Sequence, residues 1–224
     1  MGARDPYRET LVVATGNKAK IEELRALLAD LPLDVRGVAD VIAAPPRIVE
    51  DGATFADNAV KKARAIATAT LSLTLADDSG LEVDLLDGRP GVRSARFAGE
   101  RATDAENNAA LLTALGAYEA ERDHDKGLGA RFRCVLALVD PFTGAGEPRL
   151  AEGVCQGTIT RTPRGSGGFG YDPLFVVEGG EKTMAELSSD DKNRVSHRAR
   201  ALAALKPILQ HVVQERRAQV ERTR

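Results

Sequence analysis

The amino-acid sequence predicts an α/β fold built on a mixed sheet. Three observations carry this: a β-branched apolar run breaks into a helical pattern, helical and extended segments then alternate irregularly, and the central extended segments are long. Residues 10–14 (TLVVA) read as a buried strand ending at Thr15-Gly16-Asn17. The helix that follows carries Ile21, Leu24, Leu27 and Leu28 on one stripe. A second helix covers about residues 54–69. Residues 73–76 and 81–85 read as strands joined by an acidic turn, Asp77-Asp78-Ser79-Gly80. Thr103-Asp104 caps a helix running to Leu115. Residues 131–139 (RFRCVLALV) form a long strand with 151–159 as its candidate partner, and 171–177 form another. The last helix spans 189–219, with Pro207 as a kink or break and a solvated charged end from 215. Gly127-Leu128-Gly129 and Gly144-Ala145-Gly146 read as surface turns, and 124–129 as a variable loop.

The 224 residues suit one domain with a sizeable core, at about 10–206, and a charged helical tail from 207 to 224. Hydrophobic residues make up 43% and charged residues 29%, and the formal net charge is only -2. That balance advertises neither nucleic acid nor a basic partner, and leaves room for a small polyanion in a local pocket. The N-terminus carries charges and a Pro where a signal peptide needs apolar residues. No apolar run approaches the roughly 20 residues that span a bilayer. Cys134 and Cys155 lack disulfide-scaffold numbers and metal spacing, and read as small apolar residues of core strands. The expectation is a reduced, cytoplasmic protein without membrane or nucleic-acid partners.

Five segments carry candidate chemistry. Thr15, Gly16, Asn17, Lys18, Ala19 and Lys20 form a strand-to-helix turn whose open N–H groups and cations suit a phosphate, although ordinary capping explains the same residue types. In the second helix, Phe55, Ala59, Ala63 and Ile66 share one face. Lys62 falls within roughly 20° of Phe55 and so projects into that stripe, with Asn58 beside it, while Lys61 points away. An inward lysine needs an anion or snorkels at the edge. Asp77, Asp78 and Glu50 lie in two separated acidic turns, the oxygen donors that magnesium takes alongside substrate phosphates. The run 164–173 holds a literal Gly-x-Gly-x-x-Gly at Gly165, Gly167 and Gly170, but strand material follows it, which excludes a dinucleotide fingerprint. An exposed Phe169 in such a loop suits stacking on a flat base. Lys192 and His197 would stand about 140° apart in one helix. Both reach one ligand only if the helix breaks near Ser196, itself a suitable N-cap.

Six ordered blocks then resemble one family. They are Thr15-Gly16-Asn17-x-x-Lys20, residues 50–59 (EDGATFADNA), 76–81 (ADDSGL), 94–99 (SARFAG), 167–173 (GGFGYDP) and Ser196-His197-Arg198. The chain resembles the inosine triphosphate pyrophosphatase (dITP/XTP pyrophosphatase) family from about residue 11 to 205. The resemblance implies an elongated mixed-sheet fold with two lobes around a central cleft, a homodimer, and a magnesium-dependent pyrophosphatase. Its reaction is hydrolysis of ITP, dITP and XTP to nucleoside monophosphate and pyrophosphate. It implies that Thr15 to Lys20 and Lys62 hold the triphosphate, and that Asp78 is general base. Glu50, Asp78 and Asp77 bind the metal, Ser79 touches substrate, and Phe169, Gly170, Tyr171, Asp172, Lys192, His197 and Arg198 enclose the base. Which of Asp77 and Asp78 is the base stays open at this level. One departure is Asp57, where the family has Glu. The rival readings are a pyrophosphatase of other specificity, a non-catalytic nucleotide sensor, and, more distantly, an oxidoreductase.

Overall fold

A computed structural model describes residues 8–121, 128–142 and 146–222. The expected turn residues Gly127, Gly144 and Ala145, most of the 124–129 loop, the first seven residues and the last two lie outside this range. One sheet has six strands in the order β2-β1-β3-β4-β5-β6. They are β1 (Glu9–Val13), β2 (Leu33–Gly37), β3 (Leu73–Val83), β4 (Gly129–Val139), β5 (Arg149–Ile159) and β6 (Phe175–Val177). The helices are α1 (Lys18–Leu27), α2 (Phe55–Thr70), α3 (Asp104–Glu121), α4 (Ser189–Val195) and α5 (His197–Arg222). β1 pairs in parallel with β2 and β3, whereas β5 and β6 are antiparallel, so the sheet is mixed.

The chain divides into two compact units. One comprises Met1–Asp78, Val135–Glu152 and Ala201–Arg224; the other comprises Ser79–Cys134 and Gly153–Arg200. In the first, Leu11, Val12 and Val13 are all fully buried, as a parallel strand covered on both faces requires. Asn17 caps α1 by accepting the Lys20 N–H at 3.2 Å. Thr54 caps α2, and Asp57 completes a capping box by accepting the Thr54 N–H at 3.0 Å. The shorter acid at this departure from the family therefore still closes the cap. β2, which the sequence pattern did not single out, is a short run, LDVRG, held at the sheet edge by β1. α5 continues through Pro207, because Pro207 and Ala203 both lie on its exposed face, where water can take the carbonyl that proline leaves. Its later turns bury Leu209, Val212 and Val213, and Arg216 pairs with Asp140 at 2.7 Å and Glu9 at 2.9 Å. The solvated character expected from residue 215 thus excludes Arg216.

In the second unit, Leu81, Val83, Leu111, Leu115, Phe132, Tyr171, Leu174, Phe175 and Met184 belong to one buried cluster. Cys134 and Cys155 are buried in β4 and β5 and are not joined in a disulfide, as expected of small apolar residues.

Two expected elements are corrected. The acidic turn at Asp77–Gly80 does not exist: β3 runs unbroken, because lysines from two helices neutralise its carboxylates without any need for a turn to water. The strand expected over 171–177 is shortened to its last three residues. Gly170 has a positive φ of 62°, and the Asp172 side chain accepts the Phe169 N–H at 3.0 Å, which holds the preceding residues as a turn.

Candidate functional site

The first unit gathers its charges at the end of β1, the start of α1, the inner face of α2 and the middle of β3. Lys62 lies on the α2 face that also buries Phe55, Asn58, Ala59, Ala63 and Ile66. Its ammonium donates to Asp78 Oδ1 at 2.8 Å and to Glu50 Oε2 at 2.9 Å. One helical turn earlier, Asn58 Nδ2 donates to Asp78 Oδ2 at 3.2 Å, and Asn58 Oδ1 accepts the Gly52 N–H at 2.8 Å. Any Cβ at Gly52 would stand 2.7 Å from Asn58 Oδ1, so glycine is what lets the 50–52 segment approach. Lys61 points away from the stripe, as expected, and reaches back to the Val49 carbonyl at 3.2 Å and to Asp51. Adjacent lysines therefore pin both sides of Glu50. Nothing in the sequence pattern marked Lys61 for this, because Asp51 and Val49 become its neighbours only when the loop folds back.

Burial pushes the Asp78 carboxyl above the ordinary aspartate range, and the charge of Glu50 adds to this against the pull of Lys62. Burial acts on Glu50 in the same direction, but Lys62, joined by Asp78 and Lys20, outweighs it and holds this carboxyl below the ordinary range. Burial likewise opposes the charge on Lys62; Asp78, Asp77 and Glu50 together win and raise it. Glu50 is thus the carboxylate that keeps its charge, and Asp78 the one readier to hold a proton.

Asp77 takes Lys20 of α1 as its partner, and the charges of the two groups reach one another: Asp77 helps to raise Lys62, and Lys20 draws Glu50 and Asp78 down. Thr15 Oγ1 accepts the Asn17 N–H at 3.1 Å. Gly16, Asn17, Lys18 and Ala19 are exposed, leaving the first N–H groups of α1 accessible to an anion.

The second unit gathers the remaining predicted residues. The glycine loop turns so that Phe169 is half-buried, with the Lys192 ammonium 4.8 Å and the Arg198 guanidinium carbon 5.6 Å from its ring centroid. Lys192 also donates to Asp172 at 2.8 Å. A Cβ on Gly168, whose φ is +77°, would meet Asp172 Oδ2 at 2.0 Å, so the loop closes only around glycine. α4 ends at Val195, Ser196 is extended, and its hydroxyl accepts the Ala199 N–H at 3.2 Å to start α5. That break puts Lys192 and Arg198 on the same ring. Arg198 is fully buried and donates to Ser79 Oγ at 3.2 Å. His197 is buried and stacks on Phe132, 4.9 Å centroid to centroid and 20° between planes. Phe132, in β4, is a residue that sequence reasoning treated only as strand material. Tyr171 sits beneath the loop: its buried hydroxyl donates to the Ser94 carbonyl at 2.9 Å, and burial, then Asp104, raises its pKa.

Among the described residues no three His, Cys, Asp or Glu side chains form a metal cage, and no helix is long and apolar enough to cross a membrane. Glu50 and Asp78 nevertheless offer paired carboxylate oxygens around Lys62, a donor set that fits magnesium when phosphate and water complete its shell.

Comparison with known proteins gives one answer. The chain is 50% identical over 199 residues to the dITP/XTP pyrophosphatase of Desulforamulus reducens, covering 89% of this chain and 94% of that protein. It is 45% identical over 199 residues to the dITP/XTP pyrophosphatase of Bacillus subtilis, covering 89% and 96%. Its fold is similar to that of a HAM1 protein from Coxiella burnetii, with a TM-score of 0.79 and 41% identity over 91% of this chain and 99% of that one. The model of the Ham1 family matches residues 11–208, and the chain belongs to that family.

Proposed function

We propose that this chain is a nucleoside triphosphate pyrophosphatase that hydrolyses ITP, dITP and XTP to the nucleoside monophosphate and pyrophosphate, keeping them out of DNA and RNA. The observation that carries the reading is Lys62, buried on the inner face of α2 and hydrogen-bonded to both Glu50 and Asp78. Family membership and the relatives named dITP/XTP pyrophosphatase supply the substrate class.

In this reading the exposed start of α1, with Thr15 to Lys20, and the Lys62 ammonium bind the triphosphate. Water cleaves the α–β anhydride, and Asp78 takes the proton that water gives up. A carboxyl raised by burial is a better acceptor near neutrality than an ordinary one. Asn58 and Lys62 hold Asp78 by its two oxygens and so fix its aim. Glu50, Asp78 and Asp77 are the residues that would hold magnesium. When bound, that ion neutralises phosphate charge and lowers the pKa of water. Phe169 stacks on the purine, Lys192 and Arg198 lend charge to its ring, and His197 and Arg198 supply donors for a 6-keto group, with Ser79, Gly170, Tyr171 and Asp172 completing the wall. The resemblance also supports a homodimer, while the length of the chain supports a single catalytic domain over 1–224, with its core at about 10–206, and its cysteine usage a place in the cytoplasm.

The experiment is pyrophosphate release from ITP, XTP, ATP and GTP, with and without magnesium, for the wild type and Asp78→Asn. Metal-dependent release from ITP and XTP, lost in the variant, is expected. Equal turnover of all four overturns the base selectivity, and binding without turnover overturns the enzyme.

A further inference from the structure

α3 begins with a complete cap that does not use Asp104. Thr103 Oγ1 accepts the Glu106 N–H at 3.2 Å, and Glu106 Oε2 accepts the Thr103 N–H at 2.7 Å. The Asp104 side chain, expected to share in capping, instead accepts the Gly170 N–H at 2.7 Å. One turn further along the same face, Asn108 Nδ2 donates to the Gly170 carbonyl at 3.1 Å. Both polar groups of one glycine backbone are thus held by one helix. Asn107, adjacent but turned away, donates to the Ala95 carbonyl at 3.1 Å and accepts the Ala98 N–H at 2.9 Å. It ties α3 to the segment whose Ser94 carbonyl receives Tyr171.

Gly170 needs this hold. Its φ of +62° is open to glycine at little cost, and glycine has the widest conformational freedom in the unrestrained chain. It also stands immediately after Phe169, whose ring direction depends on the peptide that Gly170 shares. Asn108 Oδ1 is buried with no hydrogen-bond partner among the described residues, so the bond to the Gly170 carbonyl is what this carboxamide supplies there.

We propose that Asp104 and Asn108 are positioning residues, which set the Phe169 ring for the purine by fixing the Gly170 backbone from α3. This rests on the reading that Phe169 receives the base. It is tested on the magnesium-loaded enzyme by comparing three ligands: ITP as substrate, inosine monophosphate as a base-bearing ligand, and inorganic tripolyphosphate as one without a base. In an Asp104→Ala/Asn108→Leu double variant, KM for ITP and the dissociation constant of inosine monophosphate are expected to rise at least about thirtyfold, the lower end of what one charge-assisted and one neutral hydrogen bond together supply. The kcat and the tripolyphosphate constant stay within about twofold of wild type on the same scale. Asp104→Asn keeps an acceptor for the Gly170 N–H and stays near wild type. If the double variant does not fold, Asn108→Leu alone is read on the same ligands. Equal weakening of all three, or no change in any, overturns the proposal. A wild type that binds tripolyphosphate but no inosine ligand overturns the base reading itself, and the positioning role with it.

Discussion

Asp77 and Asp78 are neighbours in β3, yet they look to opposite faces of the sheet. Asp77 meets Lys20 of α1, and Asp78 meets Lys62 of α2 at 2.8 Å. Extended backbone alternates its side chains, so the separation follows from the strand running unbroken. The helices are placed to receive them. β2 and β3 flank β1 on opposite sides, and right-handed crossovers then set α1 and α2 on opposite faces.

The two acids should therefore fail differently. Asp78→Asn is expected to lower kcat for ITP about a hundredfold or more, the worth of a positioned general base. Asp77→Asn is expected to act mainly on stability, by about 2 kcal/mol, since it leaves the partly buried Lys20 without this partner. Pyrophosphate-release kinetics and thermal melts on both variants check the split; the reverse pattern would make Asp77 the base.

Lys62→Met leaves Glu50 and Asp78 facing each other without their shared cation. About 3 kcal/mol of stability should be lost, because both partners of a largely buried ammonium are stranded. Denaturant unfolding reads this directly. Further loss in Lys62→Met/Asp78→Asn would contradict it, since removing the second charge should restore part of the stability.

Chelation should separate activity from folding. With EDTA, pyrophosphate release is expected to stop and to return with magnesium. The melting temperature without nucleotide should not change, because Lys62 already neutralises the carboxylates. A melting temperature that falls on chelation would mean that the ion is structural.

Gly168→Ala places a methyl group against the Asp172 carboxylate, at a backbone φ that side chains rarely adopt. KM for ITP should rise at least about tenfold as the loop shifts, while inhibition by tripolyphosphate is kept. Steady-state kinetics with both ligands decide it.

In metal-free protein, Asp78 should titrate above Glu50. Glu50→Gln is expected to move the Asp78 midpoint to lower pH, because the charge of Glu50 is among the causes that raise it, after burial. The sign for stability follows: a carboxyl raised on folding favours the folded state at low pH, and that contribution is lost as pH rises through the folded midpoint. Carboxyl-carbon NMR titration of both proteins measures the shift.

Local chemistry made several site features legible before any fold was known. Helical period alone turned Lys62 inward and Lys61 outward, the Asn17 side chain implied its cap, and Ser196 marked where the helix breaks if Lys192 and His197 are to meet one ligand, although the break found there sets Lys192 and Arg198 on one ring. Each depends on residues within a turn or two of one another, where sequence spacing is spatial spacing. The continuity of β3 through two adjacent acids was not legible in this way. Neither were the hold of Lys61 on the Glu50 loop, the stack of His197 on Phe132, or the turn of Asp104 from its own helix to Gly170. In each of these cases the partner lies 10 or more residues away, and for Asp104 the separation is 66 residues. A charged or polar side chain has the same local signature whether water or a distant partner satisfies it. Only the tertiary structure, by choosing which groups are desolvated together, decided which partner each one took.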